Sequence, residues 1–244
     1  MKLKTYLNAE IQRSKELAFQ DPKKSFELAK EACELSKIHN LEIEEGLALF
    51  QMAYACRVMS QYSEGLNLAF RSLDIMKKNQ HIKGIYKAKN IIGIIYFYFG
   101  AMTDALENFM SALSMIDEEE DFNLMSSLLN NIGEVYREAE AYVEATKYYN
   151  QALDICLRHN LNINASAIYL NLGEIAYQER HYSESNDYMQ KGYALLLDEN
   201  RVLELGEAET KIGRALVAQG LYDQAKVIFL SALSKLNSIE NKYY

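Results

Sequence analysis

Residues 130–153 read NNIGEVYREAEAYVEATKYYNQAL, and the pattern recurs at NIIGIIYFYFGAMTDALENFMSAL (90–113), NLGEIAYQERHYSESNDYMQKGY (171–193) and KIGRALVAQGLYDQAKVIFLSAL (211–233). The four stretches superpose without a gap at one constant period, which brings Gly93 onto Gly133, Gly173 and Gly213. Self-similarity of this kind marks a repeat architecture, in which each unit buries its apolar face against its neighbours. Glycine or alanine recurs at Ala53, Gly93, Gly133, Gly173 and Gly213, and small residues recur at Ser25, Gly65, Ala105, Ala145, Ser185 and Ala225. Helices cross closely only where side chains are small, so these columns mark the contact between the two helices of one hairpin. The large residues Phe109, Tyr149, Met189 and Phe229, each followed three positions on by Ala112, Ala152, Gly192 or Ala232, lie at i+4 and i+7 from the second small column and define one buried helix face.

The same phase extends backwards to MAYACRVMSQYSEGLNLAFRSL (52–73) and to DPKKSFELAKEAC (21–33), which makes six units. Their approximate bounds are 1–40, 41–80, 81–120, 121–160, 161–200 and 201–240, with 241–244 expected to begin a further helix and the array to continue beyond it. Leu3, Leu7, Ile11 and Leu17 give the first helix the spacing of an N-terminal cap. Between the helices of a hairpin, Ser63, Thr103, Ser183 and Asp223 are expected to cap the second helix with a side-chain oxygen; Val143 is the exception, and the first unit uses Asp21 followed by Pro22.

These columns resemble the tetratricopeptide repeat signature, L-G-x-x-Y followed by A-x-x-x-F-x-x-A-L, most closely at Ile92, Gly93, Tyr96, Ala105, Phe109, Ala112, Leu113 and at Ile132, Gly133, Tyr136, Ala145, Tyr149, Ala152, Leu153. The consensus tryptophan and closing proline are absent, and the period exceeds the usual 34. The additional residues fall around 39–45, 79–84 and 159–165 and are expected to lengthen both the helices and the links between hairpins. Units of this length resemble those of kinesin light chains and bacterial peptide-pheromone receptors. The resemblance implies an all-α chain, a single right-handed superhelical solenoid of about six antiparallel helical hairpins over 1–244.

Composition agrees with a folded helical protein: 49% hydrophobic and 25% charged residues, with one proline. The net charge of −8 argues against nucleic acid, whose backbone is bound by clustered Lys and Arg. No apolar run reaches membrane-spanning length, and Cys33, Cys56 and Cys156 lie far apart without a paired motif, which together point to a cytoplasmic protein with reduced thiols. The acidic run Asp117–Asp121 reads as a solvated loop, and the four histidines lack ligand-spaced partners, so no metal or cofactor is expected. None of the common nucleotide-binding, hydrolase or metalloprotease motifs occurs, and no catalytic residue is assigned; the chain is expected not to be an enzyme.

In the tetratricopeptide family, ligand contacts come from the concave face of the first helices. Carried over, that face holds Tyr54 and Arg57 in the second unit and Lys87, Asn90, Phe97 and Tyr98 in the third. In the fourth it holds Asn130, Asn131, Glu134 and Arg137, in the fifth Asn171, Glu174 and Tyr177, and in the sixth Lys211 and Arg214. Asparagine is a mediocre helix former, so Asn90, Asn130, Asn131 and Asn171 on one aligned face call for a reason. An amide both donates to and accepts from a peptide group, which suits an extended peptide in the groove; the alternative is a solvated helix face. For Tyr54, Phe97 and Tyr98 the alternatives are binding anchors or packing against a neighbouring hairpin or a dimer partner. The wording of NIIGIIYFYFG, NNIGEVYREA and SKELAFQDPKKSFELAKEA resembles N-terminal sensor arrays of bacterial signalling proteins that end in a GGDEF diguanylate cyclase or a histidine kinase. It implies a protein- or peptide-binding sensory or regulatory scaffold, with a C-terminal output domain as a further partner. The alternative is a structural dimerisation or assembly module, a homodimer with no ligand in the groove, favoured by apolar Phe229, Leu230 and Leu233.

Overall fold

The computed structural model describes residues 2–117, 121–199 and 201–240. Among them the chain forms helices α1 (Lys2–Leu17), α2 (Pro22–Ile38), α3 (Glu42–Val58), α4 (Tyr62–Lys78), α5 (Ile82–Tyr98), α6 (Met102–Leu113), α7 (Phe122–Glu138), α8 (Tyr142–Arg158), α9 (Asn162–Gln178), α10 (Tyr182–Leu196), α11 (Val202–Ala218) and α12 (Tyr222–Glu240), and no strand. They divide into two compact units, Met1–Asp117 with the hairpins α1/α2, α3/α4 and α5/α6, and Glu118–Tyr244 with α7/α8, α9/α10 and α11/α12.

The constant period has a simple origin. Eight of the helices are 17 residues long. Each of these eight is followed by a three-residue turn, and the turn is the same within a hairpin and between hairpins. In each turn the middle residue has positive φ: Asn40, Ser60, Gln80, Glu140, Asn160 and Arg180 lie between 52° and 64°, and Gly100 and Gly220 at 75° and 77°. The following N–H reaches back over the last helical turn, as from Gln61 to Cys56 O at 2.8 Å and from His181 to Ala176 O at 2.8 Å. This is the Schellman ending of a helix, which satisfies carbonyls that the last turn leaves open.

Two expectations are corrected by this turn. The additional residues lengthen the helices, but the links α2–α3, α4–α5 and α8–α9, where they were expected to fall, are as short as the turns inside hairpins, whereas the α10–α11 link is longer and carries a 3-10 turn at Leu197–Glu199. Ser63, Thr103, Ser183 and Asp223 are not caps; each is the second residue of its helix. The residue that closes the Schellman turn already stands at the N-cap, and Gln61, Ala101 and His181 there make no side-chain cap bond. Side-chain caps occur where the sequence permits: Asp21 accepts from Lys24 N at 3.0 Å, His81 Nδ1 from Gly84 N at 2.9 Å, and Asp121 from Leu124 N at 3.2 Å.

The small and large columns meet as expected. A Cβ at Gly93 would lie 2.6 Å from Cε1 of Phe109, one at Gly133 2.6 Å from Cε1 of Tyr149, one at Gly173 2.7 Å from Cγ of Met189, and one at Gly213 2.5 Å from Cε1 of Phe229. The large residue of the second helix therefore lies directly on the bare backbone of the first. Phe109, Tyr149 and Met189 are fully buried, with Ala105, Ala145 and Ser185 beside them. In the first hairpin the close crossing is polar: Ser14 and Ser25 each donate to the other's carbonyl at 2.8 Å. Leu7 and Ile11 of α1 are buried, as their spacing suggested.

Gly133→Ala is expected to cost about 1–3 kcal/mol through overpacking against Tyr149. Gly100→Ala meets no atom within 4 Å, so it isolates the cost of positive φ, about 1 kcal/mol. Arg180→Gly relieves the same strain and is expected to stabilise by up to about 1 kcal/mol. Urea unfolding of the three variants checks the order; a Gly133→Ala protein as stable as the parent contradicts the packing.

Candidate functional site

Within each unit the first helices of successive hairpins touch one another, α1 with α3 and α3 with α5, and likewise α7 with α9 and α9 with α11. Because these helices repeat in register, side chains at equivalent positions of successive hairpins become neighbours across this layer.

In the Met1–Asp117 unit the expected residues fall into two groups. Arg57 stacks over the ring of Tyr54 at 4.6 Å and lies 5.7 Å from that of Phe19, which meets Tyr54 edge-on at 5.8 Å. The Arg57 Nε is buried without a hydrogen-bond partner, so the rings hold the guanidinium there. Tyr98 lies face to face with Tyr62 of α4 at 5.1 Å and edge-on to Phe97 at 6.0 Å, while remaining half exposed. Tyr54 and Tyr98 thus make the neighbouring-hairpin contacts that were one of their two readings. Lys87 and Asn90 are half-buried on α5.

In the Glu118–Tyr244 unit the expected residues converge. Nδ2 of Asn171 donates to Oδ1 of Asn130 at 3.0 Å and to Oε1 of Glu134 at 3.1 Å, and Asn130 Nδ2 reaches the same carboxylate at 3.5 Å. A second rung lies two turns earlier, where Asn164 Nδ2 donates to Asn123 O at 3.2 Å, Ser126 Oγ at 2.9 Å and Ser127 Oγ at 3.2 Å. From α9 to α11 the link is ionic: the nearly buried carboxylate of Glu174 meets Lys211 Nζ at 3.3 Å and Arg214 at 3.5 Å. Arg214 also lies 4.8 Å over the Tyr177 ring. Arg137 pairs with Glu138 at 2.6 Å, its Nε is buried without a partner, and the Tyr149 hydroxyl is buried likewise. Burial pushes the Tyr149 phenol up from its ordinary value. Asn131 is half-buried.

Asn164, Phe19 and Tyr62 escaped the sequence reading. A signal for Asn164 existed: Asn164 and Asn171 are seven apart on α9, and they face Asn123 and Asn130, equally seven apart on α7, so the two pairs share one offset along the chain.

Other chemistry is sparse. Among the described residues no group of three or more His, Cys, Asp or Glu is placed to hold a metal, and residues 118–120 of the acidic run lie outside them. His159 stacks on Phe122 at 3.6 Å and His81 caps α5, so both serve structural contacts. Among the described residues no helix is long and apolar enough to cross a membrane. All three cysteines are buried and free, and burial raises each thiol, Cys56 to about 12. A thiol held protonated in this way is a poor nucleophile.

This layer of side-by-side first helices, crossed by glycine-seated hairpins, defines a helical-repeat solenoid of the tetratricopeptide type. The tetratricopeptide repeat family model matches residues 84–158 and, overlapping, 124–198, so this stretch is similar to tetratricopeptide repeats. Among solved structures, a Rap protein complexed with Competence and Sporulation Factor is similar at 20% identity and TM-score 0.75, over 95% of this chain and 70% of that one. NprR in complex with its cognate peptide NprX is similar at 15% identity and TM-score 0.72, over 96% and 70%. Aspartyl phosphate phosphatase F from Bacillus subtilis is similar at 17% identity and TM-score 0.71, over 93% and 69%. No curated protein matches the sequence. At these identities the likeness is one of fold. One of the three is named a phosphatase, so the expectation that this chain is not an enzyme rests on its residues and not on its fold.

The thiols generate a pH prediction. A group whose pKa is raised on folding contributes stability that is complete below its unfolded value, about 8.5. That contribution is lost as pH rises towards the folded value, near 12 for Cys56. Stability is therefore expected to fall between about pH 9 and 12, with a shallower slope in Cys56→Ala. Unfolding titrations of both proteins across that range check it; identical slopes contradict it.

Proposed function

We propose that the chain is a protein- or peptide-binding scaffold that holds an extended segment on the exposed face of its first helices and serves as a sensory or regulatory interaction domain of a bacterial signalling protein. The observation that carries this reading is the hydrogen-bonded set Asn130, Glu134 and Asn171, which joins α7 to α9. A solvated helix face needs no such set. Amide and carboxylate groups held in one orientation before the ligand arrives match the alternating donors and acceptors of a peptide backbone, and preorganisation lowers the entropy lost on binding. Asn131, Glu174, Arg137 and Tyr177 extend the same surface, with Lys87, Asn90, Tyr54, Arg57, Phe97 and Tyr98 as its counterpart in the other unit.

The similar structures support the reading in kind, because NprR was solved with its cognate peptide and the Rap protein with Competence and Sporulation Factor. In this reading the scaffold is cytoplasmic and non-catalytic, and it reports to an output domain of the diguanylate cyclase or histidine kinase type.

The test is selection from a library of random heptapeptides displayed on phage, followed by calorimetry of the enriched sequences with the parent chain and with Asn171→Ala. Losing two hydrogen bonds at a preformed site is expected to weaken binding by roughly tenfold or more, at unchanged helix content. Enriched peptides that bind Asn171→Ala as tightly as the parent would sink the groove assignment.

A further inference from the structure

Arg57 lies in the middle hairpin of its unit, with α1 and α5 packed on either side of α3, so its surroundings are those of an interior repeat. The side chain is half-buried. The other two half-buried arginines each have a carboxylate: Arg137 meets Glu138 at 2.6 Å, and Arg201 meets Glu204. Among the described residues Arg57 has none; its charge faces only the rings of Tyr54 at 4.6 Å and Phe19 at 5.7 Å, and its Nε is buried without a hydrogen-bond partner.

The repeat supplies its own control. Arg57 and Arg137 occupy one column, but the residue after Arg137 is Glu138, whereas the residue after Arg57 is Val58. Residues 47–58 and 87–98 hold no aspartate or glutamate, while the equivalent stretches 127–138 and 167–178 hold Glu134, Glu138 and Glu174. On α1, Glu10 is engaged by Arg13 at 3.9 Å and Glu16 by Gln12 at 3.0 Å. In a chain of net charge −8, these two stretches of first helix carry cations alone. A half-buried guanidinium without a counter-ion is costly to hold, and an anion brought from outside offsets that cost.

We infer that Arg57 seats a carboxylate of the bound peptide, with an aromatic or other apolar side chain of the same peptide resting on the neighbouring rings. This rests on the reading of the first-helix face as a peptide surface and adds the chemistry that the surface selects. Stacking on Tyr54 fixes the plane of the guanidinium, so its fork is oriented before a carboxylate arrives. On α5 the equivalent position is Phe97, so no second cation stands beside Arg57 in that register, and a single negative charge is matched better than a phosphate dianion. Phe97 and the half-exposed Tyr98 supply the apolar surface next to it.

The test is a titration of the 244-residue chain with three blocked probes, followed at the Arg57 Nε–Hε signal by nuclear magnetic resonance. Acetyl-phenylalanine offers a terminal carboxylate, acetyl-Phe-Glu-amide a side-chain carboxylate, and acetyl-Phe-Gln-amide none. At least one acid probe is expected to bind with Kd on the order of millimolar, to shift the signal, and to weaken with added sodium chloride. The neutral probe is expected to bind roughly tenfold or more weakly. Whichever acid binds tighter identifies the source of the carboxylate, terminus or side chain. Arg57→Gln is expected to abolish the preference for acid. Val58→Glu supplies the counter-ion that Glu138 gives Arg137, and it is expected to do the same with Arg57 in place and helix content unchanged. A neutral probe that binds as tightly as both acids, an Arg57 signal that no acid shifts, or a Val58→Glu chain that binds the acids as the parent does overturns the inference. Asn171→Ala lies in the other unit and leaves these short probes unaffected, so failure at Arg57 does not touch the test of the polar set. Acid probes that bind a chain which enriches no library peptide sink the extended-segment reading alone.

Discussion

A large side chain seated on the backbone of a glycine is the contact on which the architecture depends. Phe109 on Gly93, Tyr149 on Gly133, Met189 on Gly173 and Phe229 on Gly213 set how closely the two helices of a hairpin approach. A methyl group at any of these glycines would overlap the ring or chain above it, so neither partner can change alone. Repeated in four of the six hairpins, the contact holds those pairs of helices at one separation and one register, while α1/α2 crosses on Ser14 and Ser25 instead.

The turns complete the geometry. Because the turns that follow the 17-residue helices are identical within and between hairpins, the chain advances in equal steps of one helix and one turn, with αL backbone at the end of each. Glycine relieves that conformation only at 100 and 220; elsewhere asparagine, serine, glutamine, glutamate and arginine accept it. The constant step places each first helix in a fixed register beside the next within its unit, and the Asn123–Asn164 and Asn130–Asn171 rungs, which share one sequence offset, are direct consequences. Each neutral hydrogen bond contributes only about 1 kcal/mol net, so the rungs orient side chains more than they stabilise the fold.

This division also explains what could be read in the sequence. The glycine and aromatic columns are visible because packing restricts residue type at a fixed period, and they carry the helical-repeat fold without further information. The turns were hard to see, since four of the eight αL positions hold Ser60, Gln80, Glu140 and Arg180, which carry no turn signal, and the nearby hydroxyls of Ser63, Thr103 and Ser183 suggested caps that the geometry has no place for. The polar face was legible in part. Asn130, Glu134 and Asn171 stand out as aligned polar residues, whereas Asn164, Phe19 and Tyr62 take their meaning from neighbours on other helices that no local pattern reveals.

The side-chain amide signals of the asparagines, followed by nuclear magnetic resonance while a selected peptide is added, test the central claim most directly. The account predicts that Asn164 and Asn171 amide protons are dispersed and slow to exchange in the free chain, and that the peptide shifts Asn130 and Asn171 while leaving amides on the second helices, such as Asn108, in place. Averaged amide signals in the free chain, or shifts confined to the second helices, would contradict it.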